Sequence, residues 1–152
     1  MSDDTVWEDL NAFRMTREEA FRVMDRAEGC SVCWTRRDGH PIAVWVSHAL
    51  LDGELYVTTT ANRPKTMAWQ RDPRTSVVFG VPGMGAVTVV GRVELEDDAK
   101  LRRRFLEALV DKMGHTGAAR ASWLQHMDSD GRLIGRIVPE KLITFDERKL
   151  RF

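Results

Sequence analysis

The chain has 152 residues, 43% of them apolar and 30% charged, with 23 basic and 23 acidic side chains. That is one domain's length, 1–152, enough to bury a core without a disulfide or metal staple. A net charge of zero argues against nucleic acid as a partner, and no apolar run approaches the roughly 18 residues of a membrane span. The N-terminal run Met1-Ser-Asp-Asp-Thr-Val-Trp-Glu-Asp9 is acidic, unlike a secretory signal. With only Cys30 and Cys33, the chain is expected in the reducing cytoplasm.

Thr16-Arg-Glu-Glu19 is a capping box, and Ala20, Val23, Met24 and Ala27 follow at helical spacing. A helix is therefore predicted up to Gly29. Cys30 to Arg36 reads as a strand, and Asp38-Gly39 as a two-residue hairpin turn of the primed type. Pro41 to Leu51 reads as one continuous strand. Asp52-Gly53 is a second such turn, and Glu54 to Thr60 is the third strand, with Leu55, Val57 and Thr59 on one face. A short helix is predicted over Pro64 to Arg71, since proline suits a first helical turn and Pro73 disfavours helix in the residue before it.

Thr75 to Val81 reads as the fourth strand and Ala86 to Glu96 as the fifth. Gly91 inside the fifth implies a bulge or a close backbone approach. Asp97 is the expected cap of a helix running to about Met113, and Ala118 to Met127 reads as another. Asp130-Gly131 turns the chain into a last strand, Leu133 to Phe145, where Pro139 marks a bend or an edge. The pattern is mainly β with flanking helices, a small antiparallel barrel.

Thr58-Thr-Thr-Ala-Asn-Arg-Pro-Lys-Thr66 is the richest stretch for chemistry. Three hydroxyls (Thr58, Thr59, Thr60) end a strand, and Arg63, Lys65 and Thr66 open a helix. Free amides at a helix N-terminus attract anions, and cations there oppose the macrodipole unless an anion is bound. A phosphate cradle of Arg63, Lys65 and Thr66 is one reading, and a polar strand end with two solvated cations is the other. His48, beside Ser47 and just past Trp45, is a candidate for facing a substrate. His40 and His126 read as surface or half-buried groups, and no pair among these and His115 has metal-ligand spacing. Cys30-Ser-Val-Cys33 opens a strand rather than a helix and reads as structural. The tryptophans read as core or interface, with Trp69 facing the barrel. No nucleophile–base pair is apparent.

These segments taken together resemble the pyridoxamine 5′-phosphate oxidase-like, FMN-binding split β-barrel family. The run is Gly39-His-Pro41, Asp52-Gly-Glu-Leu-Tyr-Val-Thr-Thr-Thr60, Arg63-Pro-Lys-Thr66, Arg71-Asp-Pro-Arg-Thr-Ser-Val-Val-Phe79 and Val87-Thr-Val-Val-Gly-Arg-Val-Glu94. The resemblance implies a six-stranded antiparallel split barrel and a homodimer with cofactor sites at the interface. It implies bound FMN, or alternatively the deazaflavin (coenzyme F-420), with the phosphate against Arg63, Lys65 and Thr66. Thr58, Thr59 and Thr60 would lie near the ribityl chain, and Trp45, Val46 and Ser47 would contact the ring. The deazaflavin's longer anionic tail would call on Arg36, Arg37, Arg71 or Arg74.

The implied function is hydride transfer between the cofactor and a small organic substrate, with Ser47 or His48 as candidates to orient it or relay a proton. A flavin carries its own redox chemistry, which accounts for the missing nucleophile. A non-catalytic barrel that sequesters a flavin, haem or lipid is the alternative. Gly85-Ala-Val-Thr-Val-Val-Gly91 lacks the Gln and Arg of the R-Q-V-R-V-E-G strand in pyridoxamine phosphate oxidases, which argues against vitamin B6 oxidation.

Overall fold

Caps and turns fix where the elements begin, and a computed structural model of the chain describes them for residues 9–151. Trp7 and the rest of the acidic run 1–8 lie outside the described residues. The capping box forms as predicted: the Glu19 amide donates to Thr16 Oγ1 at 3.2 Å, and the Thr16 amide to Glu19 Oε2 at 2.7 Å. Helix α1 (Arg17–Arg26) follows. The Asp52-Gly53 turn also forms as predicted, with φ of 53° and 78°, the primed geometry that matches strand twist.

The first hairpin differs. Between Arg36 and His40 only Gly39 has positive φ, 85°. The Gly39 amide donates to the Arg36 carbonyl and the Arg36 amide to the His40 carbonyl, both at 2.9 Å. This is a three-residue loop closed by a left-handed glycine, so Asp38 need not adopt positive φ. It joins β1 (Cys30–Thr35) to β2 (Pro41–Val46).

The second difference is the strand predicted over Pro41 to Leu51. It is two strands, β2 and β3 (His48–Leu51). β2 pairs with β1 as far as Cys30↔Val46, and β3 pairs with β4 (Glu54–Thr60) starting at His48↔Val57. Ser47 belongs to neither ladder. The chain continues through helix α2 (Pro64–Arg71), β5 (Arg74–Val81) and β6 (Gly85–Glu96). Helices α3 (Ala99–Lys112) and α4 (Gly117–Met127) and strand β7 (Arg132–Asp146) complete it. The sheet order is β2-β1-β5-β6-β7-β4-β3, all antiparallel. Its two outermost strands are consecutive in the chain and linked by one residue, so the sheet curls until its edges approach. Seven strands replace the expected six because one predicted strand serves both edges.

Two apolar layers hold this shape. Inside the curl, Val32, Val57, Val77, Phe79 and Val89 pack with Ala20, Val23 and Met24 of α1. Trp69 of α2 joins this core as expected. On the outer face of β3, β4 and β7, Phe105, Leu106, Leu109 and Val110 of α3 cover Ala49, Tyr56 and Ile134. Asp98, one residue after the expected Asp97, caps α3 by accepting from the Leu101 amide at 2.7 Å.

Elsewhere the outer face carries a lateral row running Trp45↔Ser31↔Val78↔Thr88↔Ile143 across β2, β1, β5, β6 and β7. The row has no charge, and its apolar members Trp45, Val78 and Ile143 are 64%, 38% and 51% exposed. Among the described residues no helix is long and apolar enough to cross a membrane.

Gly91 shows both features its position suggested. The β6–β7 register shifts between Val90 and Gly91, opposite Pro139. A Cβ on Gly91 would fall 2.0 Å from the Val138 carbonyl oxygen. Backbone cannot yield there as a side chain could, so Gly91→Ala is expected to cost about 2 kcal/mol or more. Gly80→Ala, where a Cβ meets nothing within 4 Å, is expected to be neutral or mildly stabilising. Urea unfolding of the two variants tests the contrast.

Candidate functional site

The end of β4 is held to the start of β7, and that pairing builds the site. The last ladder pair is Thr60↔Arg132. The Ala61 amide then donates to the Gly131 carbonyl at 2.8 Å, extending the contact into the turn before β7. The chain folds back at once into α2: the Arg63 amide donates to the Thr60 carbonyl at 3.1 Å. Thr66 secures this corner. Its hydroxyl donates to the Thr60 carbonyl at 2.7 Å and receives the Thr59 hydroxyl at 2.7 Å. α2 has Pro64 in its first turn and no side-chain cap.

A cavity of about 520 Å³ opens at this corner, within the range of cofactor pockets. Trp45, Val46 and Ser47 form one wall, Thr58, Thr59 and Thr60 the next, and Arg63 and Lys65 stand at the helix start. Every binding residue predicted from the sequence lines it except Thr66, which is fully buried behind it with its hydroxyl engaged by the fold. Trp45 is placed by a glycine: a Cβ on Gly29 would lie 2.6 Å from the indole Cε2 and Cζ2. Ser47, the residue between the two ladders, faces the cavity.

Arg132 was not anticipated. Its Nε donates to the Met127 carbonyl at 2.9 Å and its Nη1 to Thr58 Oγ1 at 3.3 Å. Neutral acceptors thus orient its charge toward Arg63 and Lys65. The only sequence hint was its position after Asp130-Gly131. Among the described residues no acidic side chain lines the cavity. Burial, and then the charges of Arg63 and Arg132, hold the Lys65 ammonium below the usual lysine range. Burial and Arg63 likewise lower Arg132. Three cations that raise one another's energy form a site suited to an anion.

The structure places His48 outside this cavity. Paired with Val57 on the inner face, it is fully buried. Its Nε2 donates to the Met24 carbonyl at 2.6 Å, and its ring meets Phe79 edge-on at 4.9 Å between centroids. The Lys112 ammonium stands 3.5 Å from Nε2 and donates to the Ala27 carbonyl at 2.6 Å. Ser47 lines the cavity, whereas the adjacent His48 ring is enclosed in the core.

Arg36, Arg37 and Arg71 gather at a neighbouring cavity of about 400 Å³, whereas Arg74 turns away to pair with Asp72 at 2.6 Å. Cys30 is buried, which pushes its thiol up to about 12, and Cys33 is only partly buried. Among the described residues no group of three or more His, Cys, Asp or Glu is placed to hold a metal ion.

The family model described as Pyridoxamine 5′-phosphate oxidase matches residues 17–146. No curated protein matches the chain by sequence. Among solved structures, the chain is similar to conserved hypothetical protein Rv2991 from Mycobacterium tuberculosis. The TM-score is 0.82 at 20% identity, covering 96% of this chain and 95% of that one. It is also similar to an F420 reductase, with TM-score 0.62 at 20% identity over 80% and 94% of the two chains. An FAD-binding protein from Mesorhizobium loti gives 0.64 at 23% identity over 87% and 95%. At these identities the structural likeness is one of fold.

Burial pushes the His48 imidazole down to about 4 from its ordinary 6.5. A depressed basic group takes up more protons unfolded than folded, so its contribution is intact above 6.5 and is lost as pH falls toward 4. The loss is expected to be roughly 3 kcal/mol. A His48→Leu variant should show a shallower fall in urea-measured stability across that interval, and an unchanged slope would place the proton uptake elsewhere.

Proposed function

The chain belongs to the pyridoxamine 5′-phosphate oxidase family, and from that premise we propose that it is an oxidoreductase. It transfers a hydride between bound FMN, or the deazaflavin (coenzyme F-420), and a small organic substrate. The observation that carries the reading is the meeting of Arg63, Lys65 and Arg132 in a cavity lined by no acidic side chain among the described residues, against a wall bearing Trp45 and Ser47. A phosphate relieves the repulsion among the three cations.

The bound cofactor supplies the electron pair and the hydride chemistry. The protein's residues bind and orient. Arg63 gives a planar fork and Lys65 a point charge, while Arg132 is held in place by Thr58 and Met127. Thr58 and Thr60 offer hydroxyls beside the cations. Trp45 and Val46 give the ring an apolar wall, and the Ser47 hydroxyl is the side-chain group on that wall able to orient a substrate or pass a proton. With His48 turned into the core, Ser47 holds that role alone among the two candidates. The missing Gln and Arg in β6 argue against a vitamin B6 substrate.

A homodimer is part of the same proposal. Its support is the uncharged row through Trp45, Val78 and Ile143, an exposed apolar stripe ending at the cavity wall. Two copies related by a twofold axis can bury such a stripe on each other. Val78→Glu is expected to give a monomer by light scattering where the wild type is a dimer, and a dimeric variant would remove this face from the interface.

Cofactor titration by fluorescence tests the site. Lys65→Ala should weaken FMN binding about tenfold or more while riboflavin, which lacks the phosphate, binds both proteins alike. FMN affinity should fall as pH rises into the lowered range of Lys65, and riboflavin affinity should not. Equal FMN binding by wild type and variant would sink the assignment. Tight binding without turnover of any acceptor would make the chain a cofactor carrier.

A further inference from the structure

The C-terminal end of α1 is tied down by two side chains from distant elements, and the tie lies behind the cavity wall. α1 ends at Arg26, with Ala27 as its C-cap. The last carbonyls of a helix have no partner within it. Here the Met24 carbonyl accepts from His48 Nε2 at 2.6 Å, and the Ala27 carbonyl accepts from the Lys112 ammonium at 2.6 Å. His48 opens β3 and Lys112 ends α3. A cation beside a helix C-terminus also suits the macrodipole.

Lys112 makes this contact at a cost. It is an exposed residue, free to leave its charge in water. Its ammonium turns inward instead, to 3.5 Å from Nε2 of the fully buried His48. Burial holds that ammonium below the usual lysine range, with the Asp25 carboxylate opposing. What it gains is the Ala27 carbonyl, a neutral acceptor. Ordering a long side chain and drying its charge for one carbonyl points to a role for the backbone that it holds.

That backbone leads straight to the cavity wall. Two residues beyond Ala27 the chain passes Gly29, where a Cβ would lie 2.6 Å from the Trp45 indole. The indole therefore rests on the Gly29 backbone. β1 begins at the next residue, with Cys30 paired to Val46 and Ser31 to Trp45. At the other end of the wall His48, next to Ser47, reaches the Met24 carbonyl. The wall Trp45-Val46-Ser47 is thus braced at both ends by the end of α1.

Resting on the cofactor reading above, we propose that Lys112 is a positioning residue for the ring-facing wall. It fixes the Ala27 carbonyl, and with it the Gly29 backbone under the Trp45 indole. Arg63, Lys65 and Arg132 are not on this path. Lys112 therefore governs the ring's share of binding and leaves the phosphate's share alone.

Fluorotryptophan labelling tests this in the ligand-free protein, with the Trp45 and Trp69 signals assigned by substitution to Phe. In Lys112→Met the fluorine NMR signal of Trp45 is expected to shift or broaden, while that of Trp69 in the core stays. Riboflavin should bind this variant about fivefold more weakly or worse, with the ratio of FMN to riboflavin affinity within about twofold of wild type. Lys112→Arg, which keeps a donor, should stay near wild type in every reading. Because Lys112 is exposed, Lys112→Met is expected to fold. If it does not, Lys112→Gln, with a polar end on a stem one carbon shorter, takes its place.

An unmoved Trp45 signal overturns the proposal. A Trp69 signal that moves as far overturns it too, since that marks general loosening. So does an unchanged riboflavin affinity, or an Arg variant that behaves as Met does. If the wild type binds neither FMN nor riboflavin, the cofactor reading fails, and the Trp45 signal still decides whether Lys112 holds the wall.

Discussion

One stretch of chain, Pro41 to Leu51, has to serve both edges of a curled sheet, and the rest of the architecture follows from how it does so. β2 satisfies its backbone groups on β1, β3 satisfies its own on β4, and the change of partner happens at Ser47. Because the two edges are one residue apart, the sheet cannot lie open. The side chains just before the break, Trp45 and Val46, are carried beside the end of β4 and the start of α2. The wall of the cavity and the closure of the barrel are the same few residues. A change at Ser47 therefore acts on the fold and on the site together.

The electrostatics of the site follow from the same economy. Surface cations elsewhere on the chain find carboxylates: Arg102 with Asp128, Arg104 with Asp52, Arg120 with Asp111. Such exposed pairs add little stability, but they keep those faces neutral. At the corner of β4, α2 and β7 no carboxylate among the described residues does this. Arg132 is oriented by a carbonyl and a hydroxyl, and neither cancels its charge. Repulsion among three cations is a cost to the fold, tolerated where a ligand offsets it.

Much of this was legible in the sequence because much of it is local. A capping box, an Asp-Gly turn, proline in a first helical turn and glycine in a strand each state their structure within a few residues. Helix α2 and the Gly91 bulge were read correctly for that reason. The segments that failed depend on partners far along the chain. Nothing between Pro41 and Leu51 signals a change of ladder, since the residues are strand formers throughout and the break reflects which neighbours are available. Asp38-Gly39 has the chemistry of two turn types, and the pairing of Thr35 with Pro41 selected the longer one. Arg132 entered the site through its register with Thr60, and register between distant strands is not written in either segment. His48 is carried into the core by its pairing with Val57, a partner that its own segment does not specify.

The loop from Arg36 to His40 sits just past the last rung of its ladder and contributes no buried side chain to either core layer. Its closure depends on backbone hydrogen bonds, on Gly39 and on the Asp38 carboxylate that accepts from the His40 amide, so Arg36 and Arg37 can vary without disturbing the barrel. Cradle and hairpin tip are thus separable by mutation. One is locked into the fold through Thr66 and the β7 register, while the other can diversify cheaply. A substitution at the tip can therefore alter the charge of the cavity lined by Arg37 and Arg71 while leaving the corner held by Thr66 unchanged.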